Sequence, residues 1–167
     1  MTDPQRIPQS PVTVREATLG DAEAVHALSV ELADALGDRR PRFETVRARL
    51  RELLDESGAR VLVAQDESEI VGAASLWIKP DLAHGDTVVE VPMLVVSKEA
   101  RRRGIGRLLI GEIRSTAAAE DAAIVELVAT RDNETARAFY RALGFVETDH
   151  VALEFVGDME KEPDPEG

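Results

Sequence analysis

The stretch RRRGIGRLLI, residues 101–110, places four arginines and two glycines directly before an apolar helical pattern. A strand that ends in a glycine-containing turn and continues into a helix leaves several backbone N–H groups without helical acceptors, all pointing the same way. Gly104 and Gly106 lack a Cβ, so a ligand can approach the main chain closely, and the helix start adds roughly half a positive charge. These residues therefore predict an anion site, with phosphate as the simplest ligand.

The same arginines have two other interpretations, a solvated charge cluster and a nucleic-acid patch. The chain carries a formal charge of −12, and an acidic body repels DNA and RNA at long range. Neither common nucleotide motif is present, because Leu109 replaces the third glycine of the dinucleotide fingerprint and no G-K-S or G-K-T occurs. The sequence disfavours nucleic acid as a partner and favours some other phosphate ligand.

Composition excludes several classes of protein. The 167 residues are 44% apolar and 31% charged, which is typical of one globular domain. With no cysteine, disulfides, thiolate zinc sites and cysteine nucleophiles are excluded, and the three scattered histidines predict no metal site. The sequence shows neither a run of roughly 18 apolar residues nor a signal peptide, so we expect a cytoplasmic protein without a membrane partner.

Hydrophobic periodicity predicts a mixed α/β fold in the order β, α, α, β, β, β, α, β, α, β. Asp21 and Asn133 are predicted N-caps, and Gly37 and Gly144 are predicted helix ends. The helices are expected over residues 19–37, 44–57, 105–119 and 133–144, and the strands over 12–18, 60–66, 69–80, 87–97, 122–130 and 145–155.

Three details of this pattern can be checked against a structure. Pro92 interrupts the strand 87–97 and cannot donate to a ladder, which predicts a bulge. The helix after Gly104 is expected to bury Ile105, Leu108, Leu109 and Ile113 on one face. The run AAIVELVAT, residues 122–130, is typical of a strand buried on both faces.

The motif R-x-x-G-x-G at residues 101–106 follows the interrupted strand, and N-x-x-A-x-x-F-Y-x-x-L-G-F follows at residues 133–145. With these motifs in this order, the chain resembles the GCN5-related N-acetyltransferase superfamily from about Val12 to Phe155. The resemblance implies a layered fold with a mostly antiparallel sheet splayed at a bulge near Pro92, about four helices and six to seven strands. It implies a domain over residues 12–156, between tails at 1–11 and 157–167 whose composition predicts disorder.

The resemblance also implies acetyl-CoA as cosubstrate, without a metal. In that family the loop equivalent to residues 102–107 holds the pyrophosphate with main-chain amides, and the edge of the splayed strand pairs with the pantetheine arm. For Arg102 and Arg107 the alternative is a solvated helix start, and for Asn133 it is helix capping alone. The residues implied in binding are Leu94, Val95, Val96, Arg101, Arg102, Arg103, Gly104, Ile105, Gly106, Arg107 and Asn133.

Two residues match the catalytic positions of the family. An attacking primary amine has a pKa near 10.4, so a base must take its proton. Glu90 stands where family members with a glutamate base carry it, and its apolar surroundings predict a pKa raised by desolvation. Tyr140 occupies the general-acid position. The alternatives are a solvated or arginine-paired Glu90 and a Tyr140 that only packs.

The acceptor pocket is less clearly marked. His84 is a second candidate base or substrate contact, with simple loop exposure as its alternative. Trp77 is expected either in the acceptor pocket or in the core. The resemblance implies transfer of acetyl to a primary amine in a ternary complex, and the alternative is an acyl-CoA-binding regulatory module of the same fold. Net acidity favours cationic acceptors, and a homodimer through the closing strands remains open.

Overall fold

The computed structural model describes residues 11–161, which divide into two compact units between Ala129 and Thr130. The tails predicted at 1–11 and 157–167 extend beyond the described residues. Among the described residues, the first unit contains one sheet and three α-helices, and the second contains one α-helix. The predicted mixed α/β class and the four helices are confirmed.

The sheet has the strand order β1-β2-β3-β4-β5. The first four strands are antiparallel neighbours, and β4 and β5 run parallel. Because β4 and β5 are parallel, their carboxyl ends lie at the same end of the sheet. The strands are β1 (Thr13–Glu16), β2 (Ala59–Asp66), β3 (Glu69–Asp81), β4 (Asp86–Val96) and β5 (Ile124–Leu127).

The helices of the first unit cover both faces of this sheet. Helices α1 (Ala22–Leu36) and α2 (Phe43–Asp55) pack with β2 in one core cluster, which includes Val25, Leu28, Leu50, Val61 and Val63. Helix α3 (Ile105–Ala119) buries Ile105, Leu109, Ile110, Ile113 and Ala117. Helix α4 (Glu134–Ala142) belongs to the second unit. The first unit thus has its sheet between two helical layers, as expected for burial of both faces.

Helix ends follow the predicted signals with one exception. Gly37 and Gly144 adopt the left-handed conformation, and the Asn133 side chain accepts from the Ala136 N–H at 3.1 Å. Asp21 stands at the predicted N-cap position of α1, but its side chain makes no capping hydrogen bond to that helix. Its carboxylate accepts from the Thr18 N–H at 2.8 Å and from both terminal nitrogens of Arg15 at 2.9 Å. The Arg15 guanidinium is the main reason that the pKa of Asp21 is lowered.

Three sequence expectations are wrong in detail. Leu108 is 45% exposed, and Ile110 takes the core position. The strand at 124–127 is not buried on both faces, since Ile124 is 46% exposed at the sheet edge. Residues 145–155 form no strand, so the described sheet has five strands and not six or seven. Alternating apolar residues define a face for a strand, but a strand also needs a neighbour to pair with.

Gly72 on β3 allows α3 to approach the sheet. A Cβ at this position would lie 3.2 Å from side-chain carbons of Ile105 and Leu109 and 3.2 Å from the Val95 carbonyl oxygen. We expect Gly72→Ala to lower the free energy of unfolding by about 1–3 kcal/mol, because the strand carbonyl cannot yield easily. Gly111→Ala, with nothing within 4 Å of its Cβ, is the control and is expected to raise stability by up to about 1 kcal/mol. Equal denaturation midpoints for the two variants would contradict this account.

Candidate active site

A β-bulge interrupts β4 at Pro92, as predicted. Ser75 pairs with Met93 and Trp77 pairs with Glu90, so two steps along β3 correspond to three along β4. The extra residue falls at Val91 and Pro92, and proline has no N–H to give to a ladder. The bulge therefore coincides with the one position in β4 that cannot donate.

The sheet opens directly after this bulge. Pairing between β4 and β5 ends at Val91 and Leu127, while β4 continues to Val96 beside β3 alone. The Ser97 N–H donates to the Val71 carbonyl at 2.8 Å. Antiparallel strands alternate the direction of their backbone groups, so those of Leu94 and Val96 point away from β3, toward the open side. The opening predicted between the central strands is present within the first unit.

Val95 differs from its neighbours Leu94 and Val96. By the same alternation its backbone groups belong to the ladder with β3, and its side chain lies in the core at 6% exposure. Of the three residues predicted to offer backbone groups at the opening, the structure therefore directs two toward it.

The bulge also decides which face Glu90 occupies. Three residues apart on a regular strand, Glu90 and Met93 would point to opposite faces. The bulge brings them to the same face, because their partners Trp77 and Ser75 are two residues apart. Ser29 of α1 contacts the Met93 sulfur at 3.9 Å. Glu90 therefore lies on the face covered further along by α1, with Trp77 directly opposite.

Glu90 is not in the dry environment that its sequence neighbours suggest. Its carboxylate forms an ion pair with Lys79, and the two side chains are 39% and 51% exposed. The hydrogen bond to Glu90 is the main reason that the pKa of Lys79 is raised. The predicted desolvation of Glu90 is wrong, because alternation directs its side chain away from the buried residues that flank it in sequence. Glu90 instead forms an ion pair, which was the alternative prediction, but its partner is a lysine and not an arginine.

The start of α3 has the backbone of an anion site. Gly104 is its N-cap with φ of 77°, and Arg102 is also left-handed at 63°. The first helical hydrogen bond runs from the Leu108 N–H to the Gly104 carbonyl at 3.0 Å. Within residues 11–161, the N–H groups of 104–107 have no acceptor. A Cβ on Gly104 would meet nothing within 4 Å, so the space before these amides is open.

The structure divides the four arginines of this loop into two pairs. Arg103 forms an ion pair with Asp66 at the β2–β3 turn at 2.8 Å, and Arg101 reaches back to the Val96 carbonyl at 3.4 Å. Arg102 and Arg107 are exposed, and neither has an ion-pair partner in the part of the chain that the structure describes. Arg102 and Arg107 are therefore free to meet a ligand, whereas Arg103 holds the loop in place. Nothing in the sequence marked Asp66 for this role.

Ile105 contributes only its backbone to this loop. Its side chain is 1% exposed and anchors the first turn of α3 in the core. The packing of this one residue fixes the direction of the unpaired amides around it.

A cavity of about 540 Å³ lies beside the loop and does not suit a phosphate ligand. Its lining includes Arg103 and the acidic residues Asp21, Glu23, Asp66, Glu69 and Glu99. Their negative charge opposes the binding of a diphosphate. The amides of the α3 start therefore remain the candidate for the predicted phosphate site, and this cavity does not.

Tyr140 lies on α4 in the second unit, and Asn133 is the N-cap of that helix. Tyr140 makes edge-to-face contacts with Phe139 and Phe145, with ring centroids 5.3 and 5.7 Å apart. Burial raises the pKa of the Tyr140 phenol, so it stays protonated at neutral pH. The Asn133 side chain caps this helix, as the alternative prediction for this residue expected.

Helix α4 is tied to the segment after it by a charge network that the sequence did not reveal. Glu147 accepts from Arg137 at 2.8 Å and from Arg141 at 2.6 Å. These guanidinium groups lower the pKa of Glu147 to about 2. The network therefore persists across the range of pH in which enzymes are usually assayed.

His84 lies in the exposed turn between β3 and β4. Its Nδ1 is 2.5 Å from the Asp81 carboxylate, which raises the pKa of the imidazole. A raised pKa keeps more of the ring protonated at neutral pH and makes it a weaker candidate base. Among the described residues, no group of three or more potential ligands could hold a metal ion, and no helix is long and apolar enough to cross a membrane.

Comparison with known proteins agrees with this geometry. Residues 26–145 match the acetyltransferase (GNAT) family. No curated protein matches the chain. A transcriptional regulator from Bacillus halodurans C-125 is 26% identical, with a TM-score of 0.78 over 88% of this chain and 100% of that chain.

Two further solved structures share the fold at lower identity. A ribosomal-protein-alanine N-acetyltransferase from Brucella melitensis biovar Abortus 2308 is 23% identical, with a TM-score of 0.72 over 89% of this chain and 100% of that chain. An aminoglycoside acetyltransferase from an uncultured soil metagenomic sample has the same identity, 23%, and a TM-score of 0.72, again over 89% of this chain and 100% of that chain.

Proposed function

Because the chain belongs to the acetyltransferase (GNAT) family, we propose that it transfers an acetyl group from acetyl-CoA to a primary amine by direct attack in a ternary complex. The observation that carries this proposal is the opening of the sheet after Val91, together with the unpaired amides of residues 104–107 at the start of α3. An extended amide-containing arm that ends in a diphosphate needs both features.

The residues present fit acetyl-CoA. Leu94 and Val96 offer backbone groups at the open edge to the pantetheine amides, as a strand would. The amides of residues 104–107 receive the pyrophosphate, and the free guanidinium groups of Arg102 and Arg107 add positive charge. By family resemblance Asn133 also contacts the cosubstrate. When bound, acetyl-CoA supplies an activated thioester.

The chain's own residues then handle two protons. Glu90 accepts one from the acceptor amine, directly or through water, because an ammonium has no lone pair for attack. Tyr140 stays protonated at neutral pH and supplies a proton to the departing thiolate. A backbone N–H on the open edge near Val96 stabilises the negative charge that develops on the carbonyl oxygen. The assignment of these three roles follows the family resemblance.

The acceptor is a cationic amine in this proposal. The chain carries a net charge of −12, which attracts such molecules and raises their rate of encounter. Polyamines, aminoglycosides and peptide amines share this chemistry. Glu90 and Trp77, on the face of the sheet toward α1, offer a carboxylate and an aromatic surface to an ammonium group.

The alternative function is a regulatory module that binds acyl-CoA without efficient transfer. One observation favours it, namely the 26% identity to a protein described as a transcriptional regulator. Both functions require acetyl-CoA binding, but only the enzyme releases CoA in the presence of an amine.

Thermal stabilisation by acetyl-CoA followed by thiol release tests the proposal. A ligand at 100 times its Kd adds about 2.7 kcal/mol to the stability of the folded state. The chain has no cysteine, so every thiol detected comes from CoA. Stabilisation with thiol release on an amine panel supports the enzyme, stabilisation without release supports the regulatory module, and no stabilisation contradicts both.

Replacing Tyr140 with phenylalanine removes the proposed acid while keeping the aromatic contacts to Phe139 and Phe145. We expect kcat to fall about tenfold, because water replaces the phenol as a poorer proton donor. The stabilisation by acetyl-CoA is expected to stay unchanged. An unaltered kcat over the whole pH range would show that Tyr140 only packs.

A further inference from the structure

Lys79 is one of three lysines in the chain, the others being Lys98 and Lys161. Its ammonium group forms an ion pair with the carboxylate of Glu90, the base of the proposed function. At 51% exposure the Lys79 side chain is accessible to solvent and is not part of the core. A primary amine therefore already lies in contact with the group proposed to deprotonate the acceptor.

The position of this pair places the amine near the opening of the sheet. Lys79 follows Trp77 by two residues on β3, so both share the face on which Glu90 lies. Glu90 directly precedes the bulge at Val91 and Pro92, where β4 loses its β5 neighbour. The Lys79–Glu90 pair thus flanks the start of the open edge on the face toward α1.

The charges around Lys79 are those expected of a site for a primary ammonium. Glu90 faces it from β4, Glu126 from the neighbouring position on β5, and Asp81 from its own strand. All three carboxylates favour the protonated amine, and Glu90 does so by direct contact. These acidic groups come from three strands, and the chain's own lysine occupies the place that a cationic acceptor would take.

We propose that Lys79 is itself an acetyl acceptor, modified in cis by the active site that contains it. This inference rests on the proposed function, which supplies acetyl-CoA as the donor. In the step, the Lys79 ammonium first loses a proton to Glu90, and the neutral Nζ then forms a bond to the thioester carbonyl carbon. The C–S bond breaks, the CoA thiolate takes a proton from the general acid, and the new amide nitrogen releases its second proton to solvent. The products are an Nζ-acetylated Lys79 and CoA.

Acetylation removes the charge of Lys79 and with it the ion pair to Glu90. The amide that forms still donates one hydrogen bond, but it no longer competes as a cation for the carboxylate. The modified protein therefore presents a freer Glu90 to an external amine.

The experiment incubates the full chain with acetyl-CoA and no added amine, and follows each lysine by peptide mass spectrometry. Trypsin does not cleave the Lys79–Pro80 bond, so residues 61–98 stay in one peptide whether or not Lys79 is acetylated. Acetylation of Lys98 is seen separately, because it blocks cleavage after that residue. Lys161, whose side chain is 83% exposed, reports the rate of acetylation without a catalyst.

We expect Lys79 to be acetylated at least about tenfold faster than Lys161, since a held amine gains from its proximity to base and donor. The rate constant should not depend on protein concentration, because a reaction in cis is first order in protein. Glu90→Gln should reduce the Lys79 rate to that of Lys161. Lys79→Arg keeps the positive charge and should remove the signal at this position.

Equal rates at Lys79 and Lys161, a first-order rate constant that rises in proportion to protein concentration, or a Lys79 rate unaffected by Glu90→Gln would each overturn the inference. Thiol release with external amines would in those cases leave the proposed function intact. Absence of any stabilisation by acetyl-CoA would instead refute the proposed function, and the cis reaction with it.

Discussion

Replacing Glu90 with glutamine is expected to lower kcat for a saturating amine acceptor about 1,000-fold, with little change in the Kd for acetyl-CoA. Glutamine keeps an oxygen that accepts from Lys79 but cannot take up a proton. The cosubstrate contacts proposed for the backbone of β4 and the start of α3 do not involve this side chain. The loss should therefore appear in the chemical step, measured by thiol release, and not in cosubstrate binding, measured by thermal stabilisation.

Glu126→Gln is the matched control for this prediction. Glu126 lies directly opposite Glu90 in the β4–β5 register, shares its face and carries the same charge. No hydrogen bond joins Glu126 to Lys79 within residues 11–161. If Glu126→Gln lowered kcat as much as Glu90→Gln, the effect would come from the local charge, and Glu90 would not be the base.

Replacing Gly104 with alanine is expected to weaken acetyl-CoA binding about 30-fold, equivalent to about 2 kcal/mol. The new Cβ projects into the open space before the amides, where the pyrophosphate is proposed to lie. The φ of 77° also strains any L-residue at this position. At a concentration of 100 times the wild-type Kd, the stabilisation by acetyl-CoA should fall from about 2.7 to below about 1 kcal/mol.

Gly37→Ala separates backbone strain from ligand contact. Gly37 ends α1 with φ of 71°, and a Cβ added there would also meet nothing within 4 Å, so both variants carry similar strain. Each is expected to lose about 1 kcal/mol of stability without ligand. Only Gly104→Ala should lose the response to acetyl-CoA, and an equal response in the two variants would contradict the pyrophosphate site at residues 104–107.

Local signals in the sequence were sufficient where one residue type satisfies one local need. Gly37 and Gly144 end helices because glycine, which lacks a Cβ, adopts the left-handed conformation without strain. Asn133 caps α4 because its side chain reaches an unpaired N–H three residues ahead. The same holds for Pro92, whose missing N–H placed the bulge, and for Gly104 at the start of α3.

Sequence patterns were less informative about structure where the outcome depends on a neighbouring strand or helix. Residues 145–155 alternate like a strand, yet they form none, because alternation specifies a face and not a neighbour. Leu108 fits the apolar stripe of α3 by spacing, but Ile110 is the buried residue. The stripe of a helix is wider than the line that touches the sheet, and only packing selects the members.

The sequence by itself determined the mixed α/β class, the four helices, the bulge at Pro92 and the amide cluster at the start of α3, since each is marked by residues close together in the chain. The tertiary structure decided how the charged side chains are used. Glu90 meets Lys79, and Arg103 meets Asp66, because strand register and a loop bring together residues 11 and 37 positions apart. Such contacts depend on the three-dimensional path of the chain, which no local pattern of side chains encodes.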